Sequence, residues 1–488
     1  MTAPYILRGG APKKIAIALS GGVDSSVVAY LMKQANSSRQ HELLAIHMSN
    51  WNTNDEEDPY CTKERDWKDA QAVAKQLNLP LHPTSFAAEY WTQVFEPFTE
   101  GVEQGTRPNP DVKCNRYIKF GALKEYVHTT LQADVLATGH YARLWNRSGN
   151  ALFTTDDTHD NNPHQDLIEE MLQQDPDPPT WIRTWGDKSS NNNGTQLTPL
   201  LLAARDRTKC QSFFLSSVPG SAFQNVVFPL GDLLKKKKNP TRRQDDVRLN
   251  DTMTVREIAE FANLSTARKK DSMGICFIGK RPGGFTDFID QYFPVDTSFS
   301  YQFVDVDTGA IVANEHGTST THHMVYTRGQ RAKISGASVA WFVVRTDKES
   351  KSIWVCQGTH HPALYTDTIY MKAIHWVAGE PPPPLLLTHV LHAKCRVRNL
   401  QPLVDCQITY DPDSQQYIVQ TQKPLRAVTP GQHCALYVGA DGLVCLGGGE
   451  VQERGPSYHE LGKEMPSTGD LHPSGHNDLS VLPKQAKT

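Results

Sequence analysis

The stretch at residues 20–25, Ser-Gly-Gly-Val-Asp-Ser, constrains the fold of this chain more than any other feature. It follows an apolar run at residues 15–19 and precedes an apolar-periodic segment at residues 27–32, which predicts a strand, a tight loop and a helix. Two adjacent glycines let the backbone approach an anion closely, while serine hydroxyls and the helix N-terminus supply donors. The loop is therefore predicted to hold phosphate groups.

The spacing of this loop matches neither G-x-x-x-x-G-K-[ST] nor G-x-G-x-x-G, which excludes the two commonest nucleotide fingerprints. Between residues 14 and 143 the pattern alternates between strands and helices, which predicts an α/β fold with a parallel sheet covered on both faces. Ligands of such sheets bind beyond the C-terminal ends of the strands. The predicted strands are residues 15–19, 43–48, 81–86 and 135–138, and the predicted helices are residues 62–77, 89–103 and 117–131.

Composition narrows the class of protein. No apolar run in the 488 residues approaches the roughly 18 needed to cross a bilayer, so no membrane partner is expected. Nine cysteines without a C-x-x-C pair argue against a disulfide scaffold and a structural zinc site, and favour a reducing compartment. The net charge of −3 means that any nucleic acid must meet a local basic patch.

Three segments depart from the α/β pattern. Residues 147–196 are rich in Asn, Asp, Gln and Pro, which predicts a disordered insertion. Residues 235–246 form a basic insertion, interpreted either as a solvated loop or as a supplementary RNA contact. Beyond residue 300, short β-type runs separated by turns predict an antiparallel β-barrel or sandwich, and the chain from residue 453 to 488 is predicted to be disordered.

Two cysteines lie in chemically suggestive surroundings. Cys114 follows Asn109-Pro110-Asp111, where prolines at 108 and 110 hold the chain extended. Taken alone, Cys114 is either a reactive thiol with Asp111 as a nearby acid or base, or an incidental loop cysteine. Cys276 lies among apolar residues and glycines, and is either a buried strand cysteine or a second nucleophile.

These features gain meaning from a resemblance. The phosphate loop resembles that of the N-type ATP pyrophosphatases, and the ordered set of motifs resembles the tRNA-specific 2-thiouridylase family over about residues 13–452, apart from the two insertions. The motifs are residues 20–26, 109–115 with 118–121, 137–141, 211–215, 271–278 and 430–432.

The resemblance implies an organisation into parts. Residues 1–228 would form the ATP pyrophosphatase catalytic domain, and residues 229–300 a small central domain carrying the second cysteine. Residues 301–452 would form a β-rich region that binds tRNA, followed by the tail at 453–488.

The resemblance also implies an activity, the ATP-dependent 2-thiolation of the wobble uridine of tRNA. ATP would adenylate the C2 oxygen, with Mg²⁺ neutralising the leaving pyrophosphate. Cys276 would carry a persulfide, Cys114 would be the partner nucleophile, and Asp111 would assist. The implied partners are tRNA and a protein that donates persulfide sulfur, and the chain is expected to be a monomer.

Residue by residue, the resemblance assigns two sets of contacts. The residues implied to bind ATP are Ala18, Leu19, Ser20, Gly21, Gly22, Val23, Asp24, Ser25, Met48 and Gly139. The residues implied to bind tRNA are Asn109, Pro110, Asp111, His140, Lys209, Gln211, Arg396, Val397 and Gln432. One departure from the family pattern is Cys210, which stands where an acidic residue is usual.

The sequence leaves alternatives open. The chain is also compatible with an amide-forming ATP pyrophosphatase, which needs neither cysteine, and with an RNA-binding homologue that has lost catalysis. An iron–sulfur cluster on Cys114, Cys210 and Cys276 is a further alternative, although only two of these match family positions. The Asn-rich and Lys-rich insertions, together with the role that the resemblance implies, indicate mitochondria. The first 23 residues, which contain basic but no acidic side chains, are only slightly similar to a transit peptide, and the cytoplasm is the alternative.

Overall fold

A computed structural model of the chain describes residues 6–7, 11–36, 40–50, 63–146, 153–154, 164–175, 177, 179–186, 198–236, 253–271, 285–293, 301–315, 323–332 and 334–466. Cys276 and most of the basic insertion lie outside these residues. Among the helices that the described residues form, none is long and apolar enough to span a bilayer.

The N-terminal part is built on a five-stranded parallel sheet, which confirms the α/β prediction. Its central strand, Lys14–Ala18, is almost wholly buried and leads directly into the glycine loop. All five strands run in the same direction, so their C-terminal ends share one edge of the sheet. The spatial order is Leu81–Thr84, Glu42–Met48, Lys14–Ala18, Val135–Ala137 and Val226–Val227.

Helices pack on the sheet. Val23–Ala35 follows the glycine loop, and Lys63–Gln76 follows the second strand. A helical segment that includes a π-helical stretch begins with Pro110–Lys113, seven residues before the predicted start at 117, because Asn109 caps it and proline suits its first position. Two helical segments contain a π-helical stretch. The first consists of Ala87–Tyr90, the π-helical Trp91–Phe95 and Glu96–Glu103. The second consists of Pro110–Lys113, the π-helical Cys114–Ala122 and Leu123–Thr129.

A ten-stranded antiparallel sheet forms most of the C-terminal part, as the β-type runs predict. Two of its strands, Ala142–Trp145 and Leu200–Ala203, come from the N-terminal half of the chain. Residues 138–141 therefore pass directly from the parallel sheet to the antiparallel one. The spatial order is Glu453–Arg454, Tyr365–Met371, Gln416–Arg426, Val404–Asp411, Val390–Arg396, His433–Val438, Val444–Glu450, Leu200–Ala203 and Ala142–Trp145, with His375–Trp376 paired to Val444–Glu450.

A third sheet and short helices complete the described fold. The third sheet is mixed, because Tyr301–Asp305 pairs in parallel with Ser352–Gln357. Its order is Ile311–Glu315, Tyr301–Asp305, Ser352–Gln357, Trp341–Asp347 and Arg331–Ala332, and Ile6–Leu7 pairs separately with Phe153–Thr154. The short helices are Gln165–Gln174, Thr180–Arg183, Ser212–Leu215, Gly220–Phe223, Val255–Phe261, Phe285–Tyr292, His323–Val325, Pro362–Leu364 and Pro383–Thr388.

The segment after residue 228 packs against the parallel sheet. Leu230 and Leu233 share one apolar core with Ile17 of the central strand. Val255 and Ile258 of the Val255–Phe261 helix enter the same core. This packing brings residues 230–236 and 253–267 beside the glycine loop.

Two predictions of disorder are wrong in part. Within residues 147–196, Ile168, Met171 and Leu172 lie on one face of the Gln165–Gln174 helix and pack in the core of the antiparallel sheet. Their three- and four-residue spacing is a helical signal, but it stands within strongly polar composition. In the tail, Glu453–Arg454 pairs with Tyr365–Met371, and Arg454 forms an ion pair with Glu460.

Candidate active site

The glycine loop at residues 20–22 is shaped by one close backbone contact. Gly21 has a φ of +79°, and a Cβ there would lie 2.1 Å from the carbonyl oxygen of Asp66. Gly22 is the N-cap of the Val23–Ala35 helix, and no side chain in the described part of the chain caps that helix. The N–H groups of the first turn therefore remain to bind an anion, which the helix dipole favours.

Serine hydroxyls fix the two ends of this loop to each other. Ser25 Oγ accepts a hydrogen bond from Ser20 N at 3.1 Å and lies 3.0 Å from Ser20 Oγ. Ser25 Oγ and Ser26 Oγ both donate to the carbonyl oxygen of Gly22, at 3.1 and 2.8 Å. The loop is thus preorganised around the start of the helix.

The other residues implied to bind ATP lie at the same edge of the sheet. Met48 is the last residue of the neighbouring strand, and Gly139 follows Val135–Ala137 on the other side. A Cβ at Gly139 would lie 3.2 Å from Ser25 N and 3.5 Å from Asp24 Cβ. The structure thus brings together the strand ends that carry Ala18, Met48 and Gly139.

Tyr141 fixes the side chain of Asp24. Its hydroxyl donates to Asp24 Oδ1 at 2.8 Å. Burial raises the pKa of Tyr141, and the neighbouring Asp24 carboxylate raises it further, so the hydroxyl stays protonated and keeps donating.

The Cys114 thiol lies at a change of helical type. Asn109 Oδ1 accepts hydrogen bonds from Asp111 N at 3.1 Å and Val112 N at 3.3 Å. Cys114 is half-buried and is the first residue of the π-helical stretch Cys114–Ala122. Such stretches are rare and occur frequently at functional sites. Burial raises the pKa of Asp111, opposed by the positive charge of Lys119.

His140 connects this helical turn to the edge of the sheet that carries the glycine loop. Asn115, next to Cys114, donates from Nδ2 to the carbonyl oxygen of Phe214 at 3.3 Å, so its Oδ1 is the acceptor that faces His140 Nε2 at 3.1 Å. His140 Nε2 must then carry the proton, and Nδ1 accepts from Thr138 Oγ1 at 2.7 Å. Burial lowers the pKa of His140 well below 6.5, and the positive charge of Lys119 lowers it further.

This arrangement corrects the expectation that His140 faces RNA. The residue is only 7% exposed, and both ring nitrogens bond within the protein. The rings of Phe120 and Phe228 lie against it, with centroids 5.4 and 5.6 Å away. In this structure His140 is a neutral residue that positions Asn115.

Three other residues expected at the RNA also bond within the protein. Gln211 Oε1 accepts from Tyr141 N at 2.9 Å, and Val397 is buried. Arg396 is only 8% exposed, and its Nη2 donates to Tyr437 OH at 2.9 Å. An arginine enclosed in this way does not present its guanidinium to a phosphate, so the structure argues against direct contact by Arg396.

Lys209 and Gln432 are partly exposed and remain candidates for RNA contact. Lys209 Nζ forms an ion pair with Asp271 at 2.9 Å, and Gln432 Oε1 accepts from Thr429 N at 3.1 Å. Cys210 is buried, with its Sγ accepting from Ala204 N and lying 3.2 Å from Ser212 Oγ. That environment leaves Cys210 poorly placed as a cluster ligand.

Lys235 is the functional candidate that sequence reasoning missed. The sequence predicts that Lys235 begins an exposed insertion, yet its side chain is 2% exposed and pairs with both Asp24 and Asp271. The partners lie 211 and 36 residues away in the chain, so no local pattern could reveal them.

The family model described as tRNA methyl transferase HUP domain matches residues 13–174 and 186–280, and the model described as aminomethyltransferase beta-barrel domain matches residues 366–451. A Danio rerio protein named mitochondrial tRNA-specific 2-thiouridylase 1 is 33% identical over 464 residues, covering 95% of this chain and 97% of that protein. The chain belongs to the tRNA-specific 2-thiouridylase family.

Other relatives agree with this membership. The Homo sapiens protein of the same name is 33% identical over 458 residues, covering 94% of each chain. The tRNA-specific 2-thiouridylase MnmA of Chlamydia abortus is 35% identical over 442 residues, covering 90% of this chain and 97% of that protein. The 2-thiouridylase similarity therefore spans both the parallel sheet and the antiparallel sheet.

Proposed function

We propose that this chain is a tRNA-uridine 2-sulfurtransferase, which uses ATP to replace the C2 oxygen of the wobble uridine with sulfur. The observation that carries the proposal is the connection between the glycine loop and the Cys114 turn. Gly139 packs on Asp24 and Ser25, while the next residue, His140, holds Asn115 beside the thiol. Residues 139–140 would thereby connect the proposed phosphate site with the proposed nucleophile.

The first step needs an activated oxygen. The C2 carbonyl of uridine is a poor electrophile, so its oxygen attacks the α-phosphorus of ATP, the bond to the bridging oxygen breaks, and pyrophosphate leaves. The loop N–H groups and the Val23–Ala35 helix N-terminus would stabilise the charge on the phosphates. Backbone donors held by the Ser20–Ser25 contact need no reorganisation during this step.

The carboxylate of Asp24 fits a Mg²⁺ ion that arrives with the nucleotide. Both of its hydrogen bonds, from Tyr141 and Lys235, go to Oδ1, and the side chain is 34% exposed. Mg²⁺ usually takes one or two carboxylates together with substrate phosphates. Among the described residues, no group of three or more acidic, histidine or cysteine side chains that could hold a metal ion is found.

The second step transfers sulfur. The terminal sulfur of a persulfide on Cys276 attacks C2, and the bond from C2 to the adenylated oxygen breaks, releasing AMP. The Cys114 thiolate attacks the inner sulfur of Cys276, which cleaves the persulfide bond and leaves a Cys114–Cys276 disulfide. A thiol reductant restores the two thiols, and a persulfide donor protein reloads Cys276.

The surface around Cys114 suits RNA. Lys113, Arg116 and Lys119 place three positive charges on the same helical segment, and Tyr117 is 39% exposed. The Arg116 guanidinium lies 5.3 Å from the centroid of the Tyr117 ring. Exposed aromatic and cationic side chains are the usual platform for an unstacked base and its phosphates.

We further propose that the chain works in mitochondria as a monomer. Relatives named mitochondrial support this compartment, and the basic N-terminal residues are in keeping with it. Import of the full chain into isolated mitochondria and its sedimentation coefficient test the two statements. Failure of import would favour the cytoplasm.

The decisive experiment incubates the chain with ATP, Mg²⁺, a persulfide donor and unmodified tRNA, and measures pyrophosphate and 2-thiouridine. The proposal predicts equal amounts of both products and no 2-thiouridine from Cys276→Ser. Pyrophosphate without 2-thiouridine, unaffected by Cys276→Ser, would support an amide-forming enzyme. Absence of nucleotide turnover would support an RNA-binding homologue.

A further inference from the structure

Lys235 lies beneath the ATP-binding edge. It follows Leu233, which packs in the core beside the central strand. Its backbone N donates to Asp206 Oδ2 at 3.0 Å, and its carbonyl oxygen accepts from Arg256 N at 3.4 Å. These two backbone bonds fix Lys235 between Asp206 and the Val255–Phe261 helix.

The ammonium of Lys235 joins two carboxylates from distant parts of the chain. It forms ion pairs with Asp24 Oδ1, in the glycine loop, and with Asp271 Oδ1 at 3.2 Å. The lysine is 2% exposed, whereas Asp24 and Asp271 are 34% and 28% exposed. A buried ammonium is stable only when it is paired, so the three side chains form one electrostatic unit.

Asp271 is held by further cations. Lys209 Nζ lies 2.9 Å from its Oδ2, and Arg256 Nη2 lies 2.7 Å from its Oδ1. Burial would raise the pKa of Asp271, but the bonds from Lys209 and Lys235 outweigh it and hold the pKa well below 3.8. The carboxylate is therefore ionised throughout the physiological range.

A second lysine ties the same segment to the glycine loop. Lys269 Nζ donates to the carbonyl oxygen of Gly21 at 2.8 Å and pairs with Asp66 at 2.7 Å. Residues 269–271 are thus bonded to the glycine loop at Gly21 and, through Lys235, at Asp24. Cys276 lies five residues beyond Asp271.

We propose that Lys235 is a positioning residue that couples the nucleotide state of the glycine loop to the segment leading to Cys276. This inference rests on the proposed function and adds a route by which the ATP site and the persulfide thiol communicate. A triphosphate with its Mg²⁺ changes the charge that faces Asp24. Because Lys235 is shared between Asp24 and Asp271, a change at one carboxylate alters its hold on the other.

The test measures the alkylation rate of Cys276, by mass spectrometry of its peptide, with and without a non-hydrolysable ATP analogue and Mg²⁺. A residue that only stabilises the fold changes both rates alike and leaves their ratio unchanged. For the full wild-type chain we expect the Cys276 alkylation rates with and without the analogue to differ at least about fivefold, the lower end of typical allosteric couplings. For Lys235→Met at saturating analogue we expect the two alkylation rates to differ less than about twofold.

Two further variants complete the test. Lys236→Met removes the neighbouring exposed lysine and should keep the wild-type ratio. Asp271→Asn keeps the Asp24–Lys235 ion pair but weakens the contact between Lys235 and residue 271. We expect the two alkylation rates to become similar in this variant, and it can be studied even where Lys235→Met proves too unstable. The proposal is overturned if the wild-type chain gives a ratio of one. It is also overturned if Asp271→Asn gives the same ratio as the wild-type chain. Formation of 2-thiouridine by the wild-type chain, measured in parallel, reports separately on the proposed function.

Discussion

Gly21→Ala offers a sharp test of the glycine loop. The left-handed backbone alone costs an alanine about 1–2 kcal/mol. In addition, its Cβ would lie 2.1 Å from the carbonyl oxygen of Asp66, a separation that Cβ atoms do not tolerate. The clashing atom is backbone, so the loop or the Lys63–Gln76 helix must move. We expect the affinity for ATP to fall at least about tenfold, which corresponds to about 1.4 kcal/mol.

Gly358→Ala is the matched control for this variant. Gly358 has a φ of +81°, close to that of Gly21, but nothing lies within 4 Å of its added Cβ. It therefore carries the same backbone strain without the clash. Isothermal titration of an ATP analogue and urea unfolding of both variants separate the two effects. If Gly21→Ala binds the analogue as tightly as Gly358→Ala does, the contact with Asp66 does not shape the site.

Three other outcomes follow from the structure. Cys114→Ser and Cys276→Ser should each abolish 2-thiouridine formation while leaving tRNA affinity nearly unchanged, and a large loss of affinity would instead indicate a structural cysteine. Because burial raises the pKa of Asp111 above 3.8, the unfolding free energy falls as the pH rises from 3.8 through the folded-state pKa, so Asp111→Asn should gain unfolding free energy at pH 7 and lose that gain as the pH falls towards 3.8. A gain that does not vary with pH would contradict this. Arg396→Gln should lower stability but leave the salt dependence of tRNA binding unchanged, whereas a direct phosphate contact would reduce the slope by about 0.9.

Local patterns predicted the parts of the fold that depend on neighbouring residues. The apolar run at 15–19, the two glycines and the following helix form one continuous signal, and the structure has the strand Lys14–Ala18 and the helix Val23–Ala35 there. The β-type runs beyond residue 300 were likewise predicted from alternation and turns. In both cases hydrophobic periodicity decides the local structure.

Features that depend on distant partners were not predictable in this way. Lys235 is the first residue of a lysine run that is typical of an exposed loop. Its burial is possible because Asp24 and Asp271 lie beside it and pair with its ammonium group. His140 and Arg396 carry polar groups that suit RNA, but the fold encloses them beside Asn115 and Tyr437. Their roles follow from tertiary packing, which one sequence does not display.

In the proposed reaction, the uridine C2 oxygen is adenylated before sulfur replaces it. Unmodified tRNA carrying ¹⁸O at C2 of the wobble uridine, incubated with the chain, ATP, Mg²⁺ and a persulfide donor, tests this most directly. We expect each 2-thiouridine formed to be matched by one ¹⁸O atom in the phosphate of AMP, with none in pyrophosphate. Label released into water, with AMP unlabelled, would contradict it.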